Sequence, residues 1–235
     1  MDNLLKNALD PLNITLSSEA TARFDVYCRH LIETNKVMNL TAINEPSEIY
    51  LRHFADSTAL LGCTDFCGKR VIDVGTGAGF PGLPLKIACP DISLTLLDSL
   101  NKRISFLSEL CKSLGFSDVS CIHGRAEECA TEPTLRECFD IAVSRAVSSL
   151  PMLCELCLPF LRTGGLFLAM KSLDFEDELS EAACAIETLG GRVSRVWEYS
   201  LSDSARASCV IIIEKIAPTP QKYPRRFAKI QKHPL

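Results

Sequence analysis

The 235-residue chain has no apolar run long enough to cross a membrane. Its longest apolar runs, such as 166–170 (LFLAM) and 209–213 (CVIII), have the length of a buried strand. The opening residues, MDNLLKNALD, lack a basic stretch followed by an apolar one, so no secretory leader is expected and a cytoplasmic location is the expectation. Histidine is scarce, four in all, with His53 and His123 the only mid-chain examples. A zinc site therefore lacks its second ligand pair: Cys154 and Cys157 form a C-x-x-C inside an expected helix, Cys63 and Cys67 stand four apart, and both pairs are read as non-metal. The twelve cysteines are scattered, at positions such as Cys28, Cys89, Cys121, Cys184 and Cys209, mostly in apolar segments. They read as small buried hydrophobes, not as a disulfide framework. No G-x-x-x-x-G-K-[ST] occurs, which excludes a P-loop.

What is present is a chain 47% hydrophobic and 23% charged, enough for one large domain with a small appendage. Acidic residues are missing from 215–235, where Lys215, Lys222, Arg225, Arg226, Lys229 and Lys232 accumulate. Within the overall charge of −4, this +6 end leaves −10 on residues 1–214. A basic tail on an acidic body suits contact with phosphate, or equally a solvated terminus with no partner.

Residues 18–35 read as an amphipathic helix, with Phe24, Tyr27, Cys28, Leu31 and Ile32 on one face and Ser17 or Ser18 as N-cap. A second helix is expected from Pro46 to about Leu61. From residue 70, strand-like runs alternate with helical ones: 70–74, 82–89, 93–98, 101–114, 118–122, 139–143, 148–161, 165–170 and 175–189. That alternation predicts a mostly parallel twisted sheet, Rossmann-like, with helices on both faces. Strands 192–199 and 207–214 follow without a helix and are expected as an antiparallel pair at the sheet edge. Three parts result: a helical N-terminal extension (1–62), an α/β domain (63–216) and a basic tail (217–235).

The strongest local signal is the run Asp73-Val-Gly75-Thr-Gly77-Ala-Gly79-Phe80-Pro81-Gly82, between strand RVIDV and a helix. Glycines are needed where backbone turns sharply off a strand and approaches a ligand. Asp98 closes the next strand, where a carboxylate can bind ribose hydroxyls. A dinucleotide fingerprint would place a small residue at position 80, and Phe80 opposes the close approach of a pyrophosphate. An acid two residues before G-x-G-x-G resembles instead the first motif of class I methyltransferases, whose donor, S-adenosylmethionine, carries no phosphate. Asp73, Asp98 and Glu127 offer negative groups to such a donor. Each has a plainer structural reading: Asp73 capping the turn, Glu127 as a helix-start acid, Phe80 and His53 as packing residues.

Over most of its length the chain resembles the RsmG (GidB) family of 16S rRNA guanine-N7 methyltransferases. The resemblance is carried by Asn35-Lys36 with Asn39-Leu40-Thr41, Arg52-His53 with Asp56-Ser57, the glycine run, Leu97-Asp98-Ser99, Ala126-Glu127 and Ser144-Arg145-Ala146. The segments Lys222-Tyr-Pro-Arg225 and Lys232-His-Pro-Leu235 are similar to a tail found in part of that family. The resemblance implies that Gly75 and Phe80 line the methionine end of the cofactor, that Asp98 takes the ribose, and that Ala126 and Glu127 flank the adenine, with Gly77 and Gly79 also among the cofactor-binding residues. It puts Arg145 at the reacting end of the cleft, among the cofactor-binding residues. Lys36, Arg52, Lys171, Lys222, Arg225 and Arg226 are the residues expected to meet RNA, with 16S rRNA or the small subunit as partner and a monomer as the working unit. Two positions depart from the family's pattern: Thr34 stands where Trp is common, and Met170-Lys171-Ser172 replaces M-K-G.

Guanine N7 carries an in-plane lone pair and needs no deprotonation before it attacks a sulfonium methyl, so alignment and desolvation dominate. The sequence has neither N-P-P-Y nor a Pro-Cys pair of the cytosine-C5 kind, and no general base is nominated. Arg145 and Lys171 are expected to orient phosphate or the guanine O6 edge, with structural ion pairing as the alternative for Arg145. A small-molecule or protein methyltransferase, or a non-catalytic nucleic-acid-binding module, remains a rival because the fold alone does not choose the substrate.

Overall fold

The computed structural model describes residues 2–145, 148–202 and 207–235. Ala146, of the Ser144-Arg145-Ala146 motif, lies outside the described residues. Seven strands form one sheet in the order β3-β2-β1-β4-β5-β7-β6. They are β1 (Arg70–Val74), β2 (Ser93–Asp98), β3 (Ser120–His123), β4 (Phe139–Arg145), β5 (Leu161–Ser172), β6 (Gly191–Tyr199) and β7 (Ser208–Lys215). The first five pair in parallel, whereas β7 runs antiparallel to both β5 and β6. The expected edge pair is present, but its second strand is internal. All of Cys209–Ile213 is buried, so β7 needs neighbours on both edges and cover on both faces, while Arg192–Arg195 of β6 are exposed.

Helices cover both faces. Among the described residues they are α1 (Asp2–Leu9), α2 (Ser18–Met38), α3 (Pro46–Ile49), α4 (Asp56–Thr58), α5 (Gly82–Ala88), α6 (Asn101–Ser113), α7 (Ala126–Cys129), α8 (Leu150–Cys157), α9 (Glu176–Glu181), α10 (Ala183–Thr188) and α11 (Phe227–Lys232). Strand alternation assigns the faces: Val71, Ile141 and Val143 join a core with α1, α2, α5 and α6, while Ile72, Val74 and Ala142 join one with α8, α10 and Ile230 of α11. The first core is continuous across residue 62, so the N-terminal helices complete one face of the sheet. Ser17 is the N-cap of α2, accepting the Ala20 N–H at 3.1 Å. None of the described helices is long and apolar enough to cross a membrane.

The helix expected from Pro46 to Leu61 is not uniform. Between α3 and α4 lies a wide π turn, Tyr50–Ala55, and a 3-10 turn, Ala59–Gly62, follows. The extra residue per turn buries Tyr50, Phe54 and Ala55 together while Arg52 and His53 stay off the core. The cysteine reading also needs correction. Six of the twelve are buried, but Cys67 and Cys184 are exposed. Cys184 sits on the outer side of α10, whose inner side is Ala182, Ala185, Ile186 and Leu189.

The basic tail is not a solvated appendage. Arg225 gives three side-chain bonds, at 2.6–3.1 Å, and its backbone N–H, at 2.8 Å, to the carboxylate of fully buried Glu155 on α8. Arg136 adds bonds to the carbonyls of Tyr223 (2.9 Å) and Thr219 (2.8 Å). Buried Lys215 reaches Thr219 Oγ1 (2.6 Å) and Glu137 (3.3 Å), and burial lowers its pKa to about 8.

Candidate active-site cleft

The chain winds from β1 outward to β3, then returns to lay β4 on the other side of β1. Ligands of open α/β sheets bind at the carboxyl ends of the strands where that reversal occurs. Here those ends are the glycine turn after β1, Asp98 ending β2 and Arg145 ending β4.

The turn is built from the backbone. Gly75 and Thr76 both donate to the Leu97 carbonyl, at 2.9 and 3.1 Å, and Gly75, Gly77 and Gly79 have φ of 74°, 61° and 107°. At Gly79 a Cβ would stand 2.5 Å from the Tyr27 hydroxyl and 2.9 Å from Leu107, so α2 and α6 close on the turn there. Tyr27 donates to the Ala78 carbonyl at 2.5 Å. At Gly77 a Cβ would meet only the Gly75 carbonyl, at 4.0 Å, so the turn faces open space at that point.

Two carboxylates bracket the turn. Asp73 Oδ2 accepts from Thr76 Oγ1 (2.7 Å) and from the Gly82 N–H (2.8 Å), the capping role its position suggests. Its Oδ1 is buried and has no partner among the described residues, and burial raises the pKa to about 7 against the pull of those two bonds. Asp98 is 3% exposed; Oδ2 accepts from the Gly77 N–H and Oδ1 from the Leu100 N–H, both at 2.9 Å, with Arg103 at 3.2 Å. A carboxylate has roughly four acceptor positions, so Asp98 keeps about one for a ligand. Glu127, at the start of α7, is buried, and its carboxylate has no hydrogen-bond partner among the described residues. It borders an open groove of about 590 Å3 shared with Arg125, Glu128, Arg226 and Phe227.

At the β4 side, Arg145 Nη1 donates to Asp56 Oδ2 (2.9 Å) and the Arg52 carbonyl (3.1 Å), and Nη2 lies 3.0 Å from His53 Nδ1. Its guanidinium sits 5.0 Å over the Phe80 ring, on which His53 stacks at 4.4 Å. Burial, then the Arg145 charge, lowers the His53 pKa to about 3, so the ring is neutral. Because Arg145 can only donate, Nδ1 accepts and Nε2–H donates to Thr41 Oγ1 at 2.8 Å. Asp56 Oδ1 accepts from Tyr199 Oη at 2.7 Å, and burial followed by Asp56 holds that phenol well above its ordinary pKa. Asn35, from α2, closes the Thr41 loop with bonds to both its backbone groups, at 2.7 and 2.9 Å.

The sequence-derived residues thus fall into three groups. Gly75, Gly77, Gly79, Phe80, Asp98 and Arg145 converge at the strand ends, with Ala126 and Glu127 beside them on α7. Lys36, Arg52, Lys222 and Arg226 are exposed, the first two in ion pairs with Glu33 and Glu48. Lys171 and Arg225 are turned inward. Lys171 bonds the Ser148 carbonyl (2.9 Å) and Glu178 (2.6 Å), and Arg225 is held by Glu155; a fully buried carboxylate needs a cation more than a surface guanidinium needs solvent. The sequence alone gives Asp56 and Tyr199 no role. Asp56 stands there only inside the R-H-x-x-D-S resemblance, and nothing in residues 192–199 distinguishes Tyr199 from a packing residue.

A family described as rRNA small subunit methyltransferase G matches residues 20–206. A Ribosomal RNA small subunit methyltransferase G from Lachnoclostridium phytofermentans is 46% identical over 228 residues, covering 97% of this chain and 94% of the relative. One from Desulfitobacterium hafniense is 44% identical over 224 residues, covering 95% and 93%. Among solved structures, a SAM-dependent methyltransferase from Aquifex aeolicus superposes with a TM-score of 0.57 at 18% identity, covering 75% of this chain and 97% of that one, which supports the class I methyltransferase fold. With the sheet order, the glycine turn and 44–46% identity over nearly the whole chain in agreement, the chain belongs to the rRNA small subunit methyltransferase G family.

Proposed function

We propose that the protein transfers the methyl group of S-adenosylmethionine to N7 of a guanine in 16S ribosomal RNA of the small subunit. The observation that carries this reading is the cleft between β1 and β4, where an open left-handed glycine turn is held by two carboxylates, Asp73 behind it and Asp98 at its edge. That combination suits a cationic, phosphate-free ligand better than a pyrophosphate, which would want free backbone N–H groups and no negative charge. Bound, the cofactor supplies a methyl group activated by its sulfonium sulfur. Asp73 holds the glycine turn from behind, where the methionine end would lie; the remaining acceptor position of Asp98 would suit a ribose hydroxyl, and Ala126 and Glu127 would flank the adenine.

The protein's own groups fit a reaction without base catalysis. His53, beside Arg145, has both nitrogens engaged and is neutral, so it is a scaffold. Orientation falls to Arg145, which retains two N–H donors without a partner among the described residues, suited to a purine O6 or a phosphate. Arg145→Ala is expected to leave the calorimetric Kd for adenosylmethionine within a few-fold of wild type while lowering turnover by about a hundredfold or more. A collapse of cofactor affinity would reassign Arg145 to the cofactor.

For RNA, the exposed cations are Lys36, Arg52, Lys222 and Arg226, with Lys229 and Lys232 beyond them. Replacing Lys222, Arg226, Lys229 and Lys232 together by Ala should flatten the plot of log K against log salt by about 0.7 for each phosphate that these cations neutralise in the wild type. An unchanged slope would make this surface a bystander. The reaction itself is tested by tritiated methyl transfer to small subunits from cells lacking the enzyme. Borohydride reduction and aniline cleavage, followed by primer extension, should then give a stop at a single guanine. Label on protein, or RNA label that resists N7-specific cleavage, would overturn the reading.

A further inference from the structure

Three side chains contact that of Arg145 and two more hold those in place, the five coming from four segments of the chain. Asp56 takes Nη1 at 2.9 Å through Oδ2, and its other oxygen takes the Tyr199 hydroxyl at 2.7 Å. His53 accepts Nη2 at 3.0 Å and is itself fixed by Thr41 at 2.8 Å. The Phe80 ring supports the guanidinium at 5.0 Å and the imidazole at 4.4 Å. Tyr199 is 5% exposed and stacks on Trp197 at 4.8 Å, and a Cβ at Gly62 would stand 3.2 Å from that indole. Both oxygens of Asp56 are thereby set by groups that cannot swing away.

We infer that Asp56, oriented by Tyr199, is a positioning residue that fixes the Arg145 guanidinium and offsets its charge, leaving two of its N–H donors for the RNA substrate. The inference rests on the proposed methyl transfer to a guanine N7. In that reaction positive charge passes from the sulfonium to the methylated base, so the cleft holds a cation before and after transfer. An unpaired guanidinium beside it would oppose both states, whereas one paired with Asp56 donates hydrogen bonds at little electrostatic cost. Asp56 pairs through an Nη1 edge, which leaves the Nε–H and one Nη2–H of Arg145 uncommitted among the described residues.

The test compares full-length Asp56→Asn, Tyr199→Phe, Arg145→Ala and the Arg145→Ala/Asp56→Asn double variant on small subunits from cells lacking the enzyme. Cofactor Kd is read by calorimetry and the His53 ring by 15N spectroscopy. Asp56→Asn should lower kcat about ten- to a hundredfold with the cofactor Kd within about threefold of wild type. Tyr199→Phe should lower kcat about three- to tenfold. In the Arg145→Ala background, Asp56→Asn should add less than about twofold, because its effect passes through the residue already removed. The His53 Nδ1 signal should move in Asp56→Asn in the same sense as in Arg145→Ala, as its donor is displaced in the first and absent in the second.

Multiplicative losses in the double variant, or an unmoved Nδ1 signal in Asp56→Asn, would overturn the positioning role. Wild-type kcat in Asp56→Asn with an inactive Arg145→Ala would also overturn it, yet leave the reading of Arg145 standing. A near-wild-type Arg145→Ala sinks that reading itself. If Asp56→Asn melts early, Tyr199→Phe crossed with Arg145→Ala answers the same question without leaving a charge unpaired.

Discussion

Asp98→Ala is expected to raise the Kd for adenosylmethionine by about 10–10² and to lower the melting temperature by several degrees. Hydrogen bonds to a charged group contribute roughly 1.5–3 kcal/mol each, and the proposed ribose contact would be left with no acceptor at all. The same carboxylate also holds the glycine turn. Gly77, at φ 61°, donates to Oδ2 and Leu100 to Oδ1, so the alanine variant leaves both N–H groups and Arg103 without their acceptor. Asp98→Asn keeps one acceptor oxygen but points an amide N–H₂ at one of these donors, so its effect should fall between wild type and alanine. Isothermal calorimetry and thermal melting separate the two contributions. Wild-type affinity in Asp98→Ala would remove Asp98 from the cofactor site.

The second large effect is one of stability. Glu155→Ala should lower the melting temperature by roughly 6–20 °C, because breaking a buried ion pair from one side costs about 3–5 kcal/mol and each kcal/mol shifts a chain of this size by about 2–4 °C. Glu155 is fully buried on α8, and among the described residues its carboxylate is the sole acceptor for Arg225 Nε, Arg225 Nη2 and the Arg225 backbone N–H. Arg225→Ala should be at least as costly, since it strands the more deeply buried partner. Tail cations that stay in solvent, such as Lys229, should change stability by less than about 0.5 kcal/mol when replaced. A Glu155→Ala variant melting with wild type would mean that Tyr223, Ile230 and the bonds from Arg136 dock the C-terminal segment without this ion pair.

The parallel strands are legible in the sequence because each carries its own record. RVIDV leads straight into Gly75 and SLTLLD ends in Asp98, and the glycine turn shows in its closely spaced glycines, although Leu97 and Asp98 of the next strand also hold it. The place of β7 is legible: CVIII is apolar at every position, whereas three of residues 192–195 are polar, a contrast that puts the former inside and the latter at an edge. The short α1 and α11 carry no comparable signal. Each is brief, and its buried residues, such as Leu5, Leu9 and Ile230, acquire meaning only once a core exists to receive them.

The amino-acid order alone settled the alternation of strands and helices, the glycine turn with its flanking acids, and the absence of a phosphate-type loop, because hydrophobic period and backbone permissiveness act over a few neighbouring residues. Tertiary structure decided which charges meet. Asp56 lies 89 residues from Arg145 and 143 from Tyr199, and Arg225 is 70 from Glu155. A sequence shows that such residues carry charge, but electrostatic attraction and desolvation depend on distance and burial, and those exist only after the sheet has brought the segments together.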